Sequence, residues 1–193
     1  MKGIAYLLTG LAFLAGCGDG TVTEFPSTQL HPGEIISMQR ELGPDVEKDL
    51  AALRRVTAPF HEFDMAQHAG WSAQITPCMT DPGGAGGMGF HYGNTTLIDG
   101  SAHVETPQLL LYEPEKNGRL RLVAVEYIIP YTFHSRSAAP PKLFGQSFQQ
   151  VDAFQLWGLH AWVWRENPSG IFASWNPRVT CENTSAAVAM SHN

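Results

Sequence analysis

Three features of the sequence predict an α+β fold in a single domain, with an N-terminal helical pair packed on a curved antiparallel β-sheet. Val46, Leu50, Leu53 and Val56 recur at intervals of three and four, the period of a helix that buries one face. Residues 108–113 and 120–131 are rich in Leu, Val, Ile and Tyr, and they flank an Asn117-Gly118 dipeptide suited to a two-residue hairpin turn. Turn chemistry at Asn167-Pro168-Ser169-Gly170 and at Asn176-Pro177 punctuates the C-terminal third.

Taken in order, Asp45 is the candidate N-cap of the first helix, and Pro59 ends or kinks that helix near Thr57. A second short helix from Pro59 carries Phe60, Phe63 and Ala66 and stops at Gly70. Pro82-Gly83-Gly84-Ala85-Gly86-Gly87 reads as a mobile loop leading into the short strand Met88-Gly89-Phe90-His91-Tyr92. A last strand over residues 156–165 holds Trp157, Trp162 and Trp164 together with His160.

The composition suits this picture. Of 193 residues, 44% are hydrophobic and 16% charged, enough apolar material for one packed core and too much for wholesale disorder. Twelve Lys and Arg against eighteen Asp and Glu leave a net charge of −6, which argues against nucleic acid as a partner. The glycine run at 83–87 lacks the GK[ST] ending of a phosphate loop and precedes a strand, not a helix. No G-x-S-x-G nucleophile elbow is present.

The N-terminus carries an address. Lys2 is followed by an apolar run over residues 4–14, which closes on Leu14-Ala15-Gly16-Cys17. This resembles the lipobox of bacterial lipoproteins, in which the signal is cut before the cysteine and that cysteine carries the lipid. The resemblance implies a signal peptide over 1–16, a lipidated Cys17 opening a Gly-, Thr-, Pro- and Ser-rich tether over 17–44, and a membrane anchor. It also implies a cell-envelope location. Asp19 stands one place beyond the position that marks inner-membrane retention, so the expectation is an outer-membrane anchor facing the periplasm. The globular domain is then expected over 45–181, with a flexible tail over 182–193. With Cys17 assigned to lipid, an oxidising compartment favours a disulfide between Cys78 and Cys181. No CxxC spacing supports a metal role for either.

Strand alternation singles out the candidate site. If Asn117-Gly118 is a two-residue turn, Lys116 faces Arg119, Glu113 opposes Leu122, and Glu126 opposes Leu109. Both carboxylates then share a face with Leu111, Leu120, Leu122 and Ala124, about 13 Å apart along the strands. A carboxylate among apolar neighbours requires a partner. His160 shares a strand face with Trp162 and Trp164, and His91 follows the glycine loop. Two histidines with an inward carboxylate make a facial metal site, so His91, Glu126 and His160 are the candidate ligands of one divalent metal ion, with Glu113 as a neighbouring proton acceptor. The alternative is three structural polar groups, each satisfied locally. His61, Asp64 and His68 share a helical face, but the histidines lie about 10 Å apart, too far for one ion, and read as a solvated surface.

Aromatics crowd the C-terminal third: Trp157, Trp162, Trp164 and Trp175 with Phe144, Phe148, Phe154 and Phe172. Core packing accounts for most of them, and the rest could line an apolar pocket or form a binding surface.

The run Leu159-His160-Ala161-Trp162-Val163-Trp164, continuing to Asn167-Pro168-Ser169-Gly170-Ile171-Phe172-Ala173-Ser174-Trp175-Asn176-Pro177, resembles an exported bacterial family of unassigned activity. Gly87-Met88-Gly89-Phe90-His91-Tyr92, Tyr112-Glu113-Pro114 and Val125-Glu126-Tyr127 are further marks of that resemblance, which covers about residues 51–181. It implies an exported domain and carries no reaction. Two functional readings follow. One is an envelope lipoprotein that binds a metal ion or small ligand at His91, Glu126 and His160. The other is a non-catalytic envelope lipoprotein that binds a protein or apolar partner through its aromatic surface.

Overall fold

The computed structural model describes residues 42–185. Cys17, the segment 1–16, most of the tether and the end of the tail lie outside the described residues. The described chain runs α1 (Pro44–Thr57), a 3-10 turn (Ala58–His61), α2 (Phe63–His68), then strands β1 (Ala73–Thr80), β2 (Gly87–Gly93), β3 (Leu109–Pro114) and β4 (Leu120–Pro130). The short pair β5 (Lys142–Leu143) and β6 (Gln146–Ser147) follows, then β7 (Gln149–Val151) and β8 (Leu156–Ala161). The six larger strands form one antiparallel sheet in the order β1-β2-β3-β4-β8-β7, strongly curled into a half-barrel, so the α+β class read from the sequence is the one observed. Among the described residues no helix is long and apolar enough to cross a membrane.

The helical pair forms much as its spacing predicts. Leu50 and Leu53 are buried, with Val46 packed against the same core. Burial of two such leucines is worth about 1.5–3 kcal/mol each. Gly43, not Asp45, occupies the N-cap, and no side chain caps the helix. Pro44 takes the first turn, where its missing N–H costs nothing, and Asp45 with Glu47 lies near the positive end of the helix dipole. Pro59 stops α1 through the 3-10 turn, and α2 begins only at Phe63.

Polar ties fasten the helices to one face of the sheet. The Tyr112 hydroxyl donates to the Phe60 carbonyl at 2.7 Å, and Trp164 Nε1 donates to Thr57 Oγ1 at 3.0 Å. That face is the main core, where Phe90, Tyr92, Leu110, Tyr112, Leu122, Val125, Tyr127, Trp157 and Leu159 meet Leu50, Leu53 and Ala66. The opposite face carries Leu109, Leu111, Val123, Ala124, Ile128 and Trp162.

The β3–β4 hairpin departs from the expected turn. The Gly118 N–H donates to the Glu115 carbonyl and the Glu115 N–H donates to the Arg119 carbonyl, closing a three-residue loop, with Gly118 at φ 82° in the left-handed region. Glu113 therefore opposes Arg121, not Leu122, and Arg119 opposes Glu115, not Lys116. A bulge between Leu111 and Tyr112 on the β3 side, with Val123 as the extra residue of β4, restores the predicted register beyond it: Leu109 opposes Glu126. The bulge also moves Leu122 to the helix side while Ala124 stays opposite.

Other differences are local. β8 ends at Ala161, and the chain turns so that Trp162 stays near His160 while Trp164 crosses to the helices. The glycine loop is an ordered turn: the Asp81 N–H donates to the Gly86 carbonyl, the Ala85 N–H donates to Asp81 Oδ2, and Gly87 bridges to Asn176. β1, with Pro77 inside it, is an edge strand of irregular register that alternation does not reveal. Cys78 on β1 is bridged to Cys181, Cα atoms 5.7 Å apart. Past Cys181, Asn183 Nδ2 donates to the Pro114 carbonyl and Thr184 Oγ1 donates to the Cys181 carbonyl, so the folded part continues into the segment read as tail.

Candidate metal centre

Each candidate ligand comes from a different strand. His91 stands on β2, Glu126 on β4 and His160 on β8, and Glu126 directly opposes His160 across the sheet. Side chains of an antiparallel pair project to the same side at such positions, so this half of the site follows from register. His91 is harder to place, because β3 lies between it and Glu126, a gap of about 10 Å at ordinary strand spacing. The curl of the sheet and the length of both side chains close it. His91 Nε2 is 3.5 Å from Glu126 Oε2, and His160 Nε2 is 3.8 Å from Glu126 Oε1. One donor atom from each residue lies within 4.8 Å of the other two, and all three residues are buried.

Supporting residues complete the arrangement. Thr76 opposes His91 across β1 and β2, and its Oγ1 lies 2.8 Å from His91 Nδ1. With Nε2 turned toward Glu126, the proton is assigned to Nδ1, which donates to Thr76 and holds the ring's orientation. Gly158 on β8 makes room for the carboxylate, since a Cβ there would sit 2.8 Å from Glu126 Oε1. The sequence carried a signal for Gly158, a glycine inside a strand, which marks a close approach. It carried none for Thr76, whose role depends on the irregular register of β1.

Electrostatics keeps the cluster neutral despite its ion-pair distances. Burial pushes the Glu126 carboxyl up to about 8. Burial also lowers His91 to about 4, against a small opposing effect of the Gly89 carbonyl, and lowers His160 to about 3, aided by repulsion from His91. Two neutral imidazoles and a protonated carboxyl therefore face one another near pH 7. His160 Nε2 is buried and has no hydrogen-bond partner among the described residues. Leaving such an atom unpaired is costly, about 1–3 kcal/mol.

The donor set fits a divalent transition metal. Donors sharing one such ion lie about 3–3.5 Å apart at bond lengths of about 2.0–2.2 Å. His91 and Glu126 already stand at that spacing, and His160 Nε2, 3.8 Å from Glu126, lies just beyond it. Two imidazoles and one carboxylate suit zinc, iron, copper or manganese better than calcium or magnesium, which prefer all-oxygen shells. Three protein ligands leave a position open for water or a small molecule.

The cluster opens into a cavity of about 520 Å³, lined by both edge strands, β1 and β7, as well as by β8. The sheet curls around this space. Glu113 is not brought to it. Its Oε1 accepts from the Thr180 N–H at 3.1 Å, Arg121 stands 4.0 Å from Oε2, and it lines a separate polar depression of about 400 Å³ with Arg165 and Asn183. Its carboxylate anchors the C-terminal segment. His61, Asp64 and His68 remain exposed, as their spacing predicts. Of the C-terminal aromatics, Trp157, Phe144 and Phe148 enter the main core, whereas Phe154, Phe172 and Trp175 line the cavity. Comparison of the chain with protein-family models, with curated proteins and with solved structures returns no match.

Proposed function

We propose that the chain binds one divalent metal ion through His91, Glu126 and His160, and that it does so as a lipid-anchored protein of a bacterial cell envelope. The observation that carries the first part is the orphaned, buried His160 Nε2 aimed at a carboxylate that also meets a second imidazole. A metal ion supplies the missing partner to His160 and converts the neutral carboxyl into a ligating anion. The partner-binding alternative has less behind it: of the eight clustered aromatics, only Phe154 is among the exposed large hydrophobics.

Metal analysis of the full chain, purified without chelators or a His-tag, tests the site. About one metal ion per chain is expected, and the His91→Ala/His160→Ala double variant should lose it while keeping its circular dichroism. No metal in the wild type, even after reloading with zinc, copper, iron and manganese, sinks the reading.

The envelope location rests on the sequence Leu14-Ala15-Gly16-Cys17, and the Cys78–Cys181 bridge is compatible with it, since disulfides persist in oxidising compartments. Cys17→Ser is expected to move the chain from the membrane fraction to the soluble fraction of the host. Equal partition of variant and wild type would refute the anchor.

A further inference from the structure

The metal cluster forms the polar end of a cavity whose remaining chemistry is specific enough to name a class of ligand. We infer that this cavity takes a largely apolar small molecule, uncharged beyond its metal-binding end, that places a single oxygen or nitrogen donor on the ion held by His91, Glu126 and His160. The inference rests on the metal reading above and goes beyond it.

Its size, about 520 Å³, falls within the range of small-molecule sites, about 300–1,000 Å³. The walls are apolar, with Met79, Met88, Leu109, Ile128, Phe172 and Trp175 among them. The two methionines are adaptable packing surfaces, and the two aromatics offer flat faces. At the same cavity Ile75 and Phe154 are 44% and 51% exposed, so the rim is apolar as well.

Charge selects further. Among the described residues the lining contains no lysine, arginine or aspartate, and its only ionisable residues are the three proposed ligands. Away from the ion, a carboxylate or phosphate would be desolvated with no side-chain cation to meet it, a costly transfer, and only at the ion itself would it meet positive charge. A cationic ligand fares no better, because Glu126 is engaged by the metal. The uncharged polar side chains are partly committed elsewhere. Thr76 is held by His91, Ser174 Oγ donates to Gln149 Oε1 at 2.9 Å, and Gln150 Nε2 donates to the Arg136 carbonyl at 2.9 Å. The open position on the metal is therefore the strongest polar contact offered to a ligand at the buried end of the cavity.

Cobalt-loaded full chain provides the test, with the visible absorption of the bound ion as readout. Three probes share an imidazole donor: imidazole, 4-phenylimidazole and 4-(imidazol-4-yl)benzoate. The phenyl compound is expected to bind tighter than imidazole by about tenfold or more, the return for burying one ring. The benzoate, equal in shape but ionised, should bind weaker than the phenyl compound by about tenfold or more. Gln150→Lys, which adds a cation at the exposed rim, should narrow or reverse that second difference. Cobalt bound with all three affinities alike, or with the benzoate preferred by the wild type, overturns the inference and leaves the metal site standing. Failure to take up cobalt removes the metal reading and this inference with it.

Discussion

Replacing the cystine by Cys78→Ala/Cys181→Ala is expected to lower the free energy of unfolding by about 4–5 kcal/mol, the chain-entropy value for a loop of this length. The bridge spans 103 residues and so encloses nearly the whole sheet. It ties the edge strand β1 to the C-terminal segment, which is also held by the Gly87–Asn176 bridge, the Thr180–Glu113 and Asn183–Pro114 hydrogen bonds and the buried Val179. β1 also carries Thr76, two positions from Cys78, and Thr76 orients His91. Loss of the bridge should thus weaken metal binding as well as stability. Urea unfolding of wild type and double variant under non-reducing conditions measures the first effect, and metal titration the second. A difference under about 1 kcal/mol, far below the chain-entropy value, would show that the bridge does not constrain the unfolded chain.

The metal-free protein is expected to be most stable near pH 6.5, declining on both sides. Below that point, the unfolded chain binds protons at histidines of ordinary pKa 6.5, whereas folded His91 and His160 stay neutral down to about 4 and 3. The unfolded state therefore holds more protons, and stability rises with pH up to 6.5. Glu126 acts in the opposite sense. Its folded pKa of about 8 against an ordinary 4.5 means that the folded state keeps a proton the unfolded chain has lost. From 4.5 to 6.5 the two histidines outweigh it. Above 6.5 its effect outgrows that of the histidines, and stability falls by less than about 1.4 kcal/mol per pH unit, the limit for one whole proton. Asp152, held near 2 by Arg136, and the upward-shifted tyrosines titrate outside this window.

Saturating metal should abolish the alkaline decline, because an ion-bound carboxylate carries no proton in either limb, and binding adds stability by mass action. Glu126→Gln should abolish it in the metal-free protein too. Urea unfolding between pH 5 and 8, with and without zinc, checks both. A flat metal-free profile from 6.5 to 8 would mean that Glu126 is already ionised in the folded state.

Much of the site could be read before any coordinates, and the reason is the period of a β-strand. Alternation placed Glu126 with Leu109 and on the face of Leu111 and Ala124, and that pairing is found. The same rule put His160 on a definite strand face. Three side-chain assignments failed where the chain broke its period. The three-residue loop at Gly118 and the extra residue Val123 shifted Glu113 to Arg121 and turned Leu122 to the helices. The end of β8 at Ala161 sent Trp164 the same way. A bulge costs little and is set by packing on both faces, so residue alternation cannot announce it.

The division of labour between chain and fold follows from range. Helix period, strand period, turn residues and cysteine count are local or compositional. They sufficed for the α+β class, the helical pair, the central strands and the Cys78–Cys181 pairing. Convergence is different in kind. His91 and Glu126 belong to strands that are not neighbours, and nothing in their spacing reports how strongly the sheet between them curls. That curl combines the right-handed twist inherent to the strands with packing of the helix-side core, in which Tyr112, Tyr127 and Trp157 take part. The same curl carries β1 and β7 around one cavity, brings Thr76 to His91 and leaves His160 Nε2 without a partner among the described residues. The candidate ligands were therefore legible in one dimension, whereas their meeting point is a property of long-range packing.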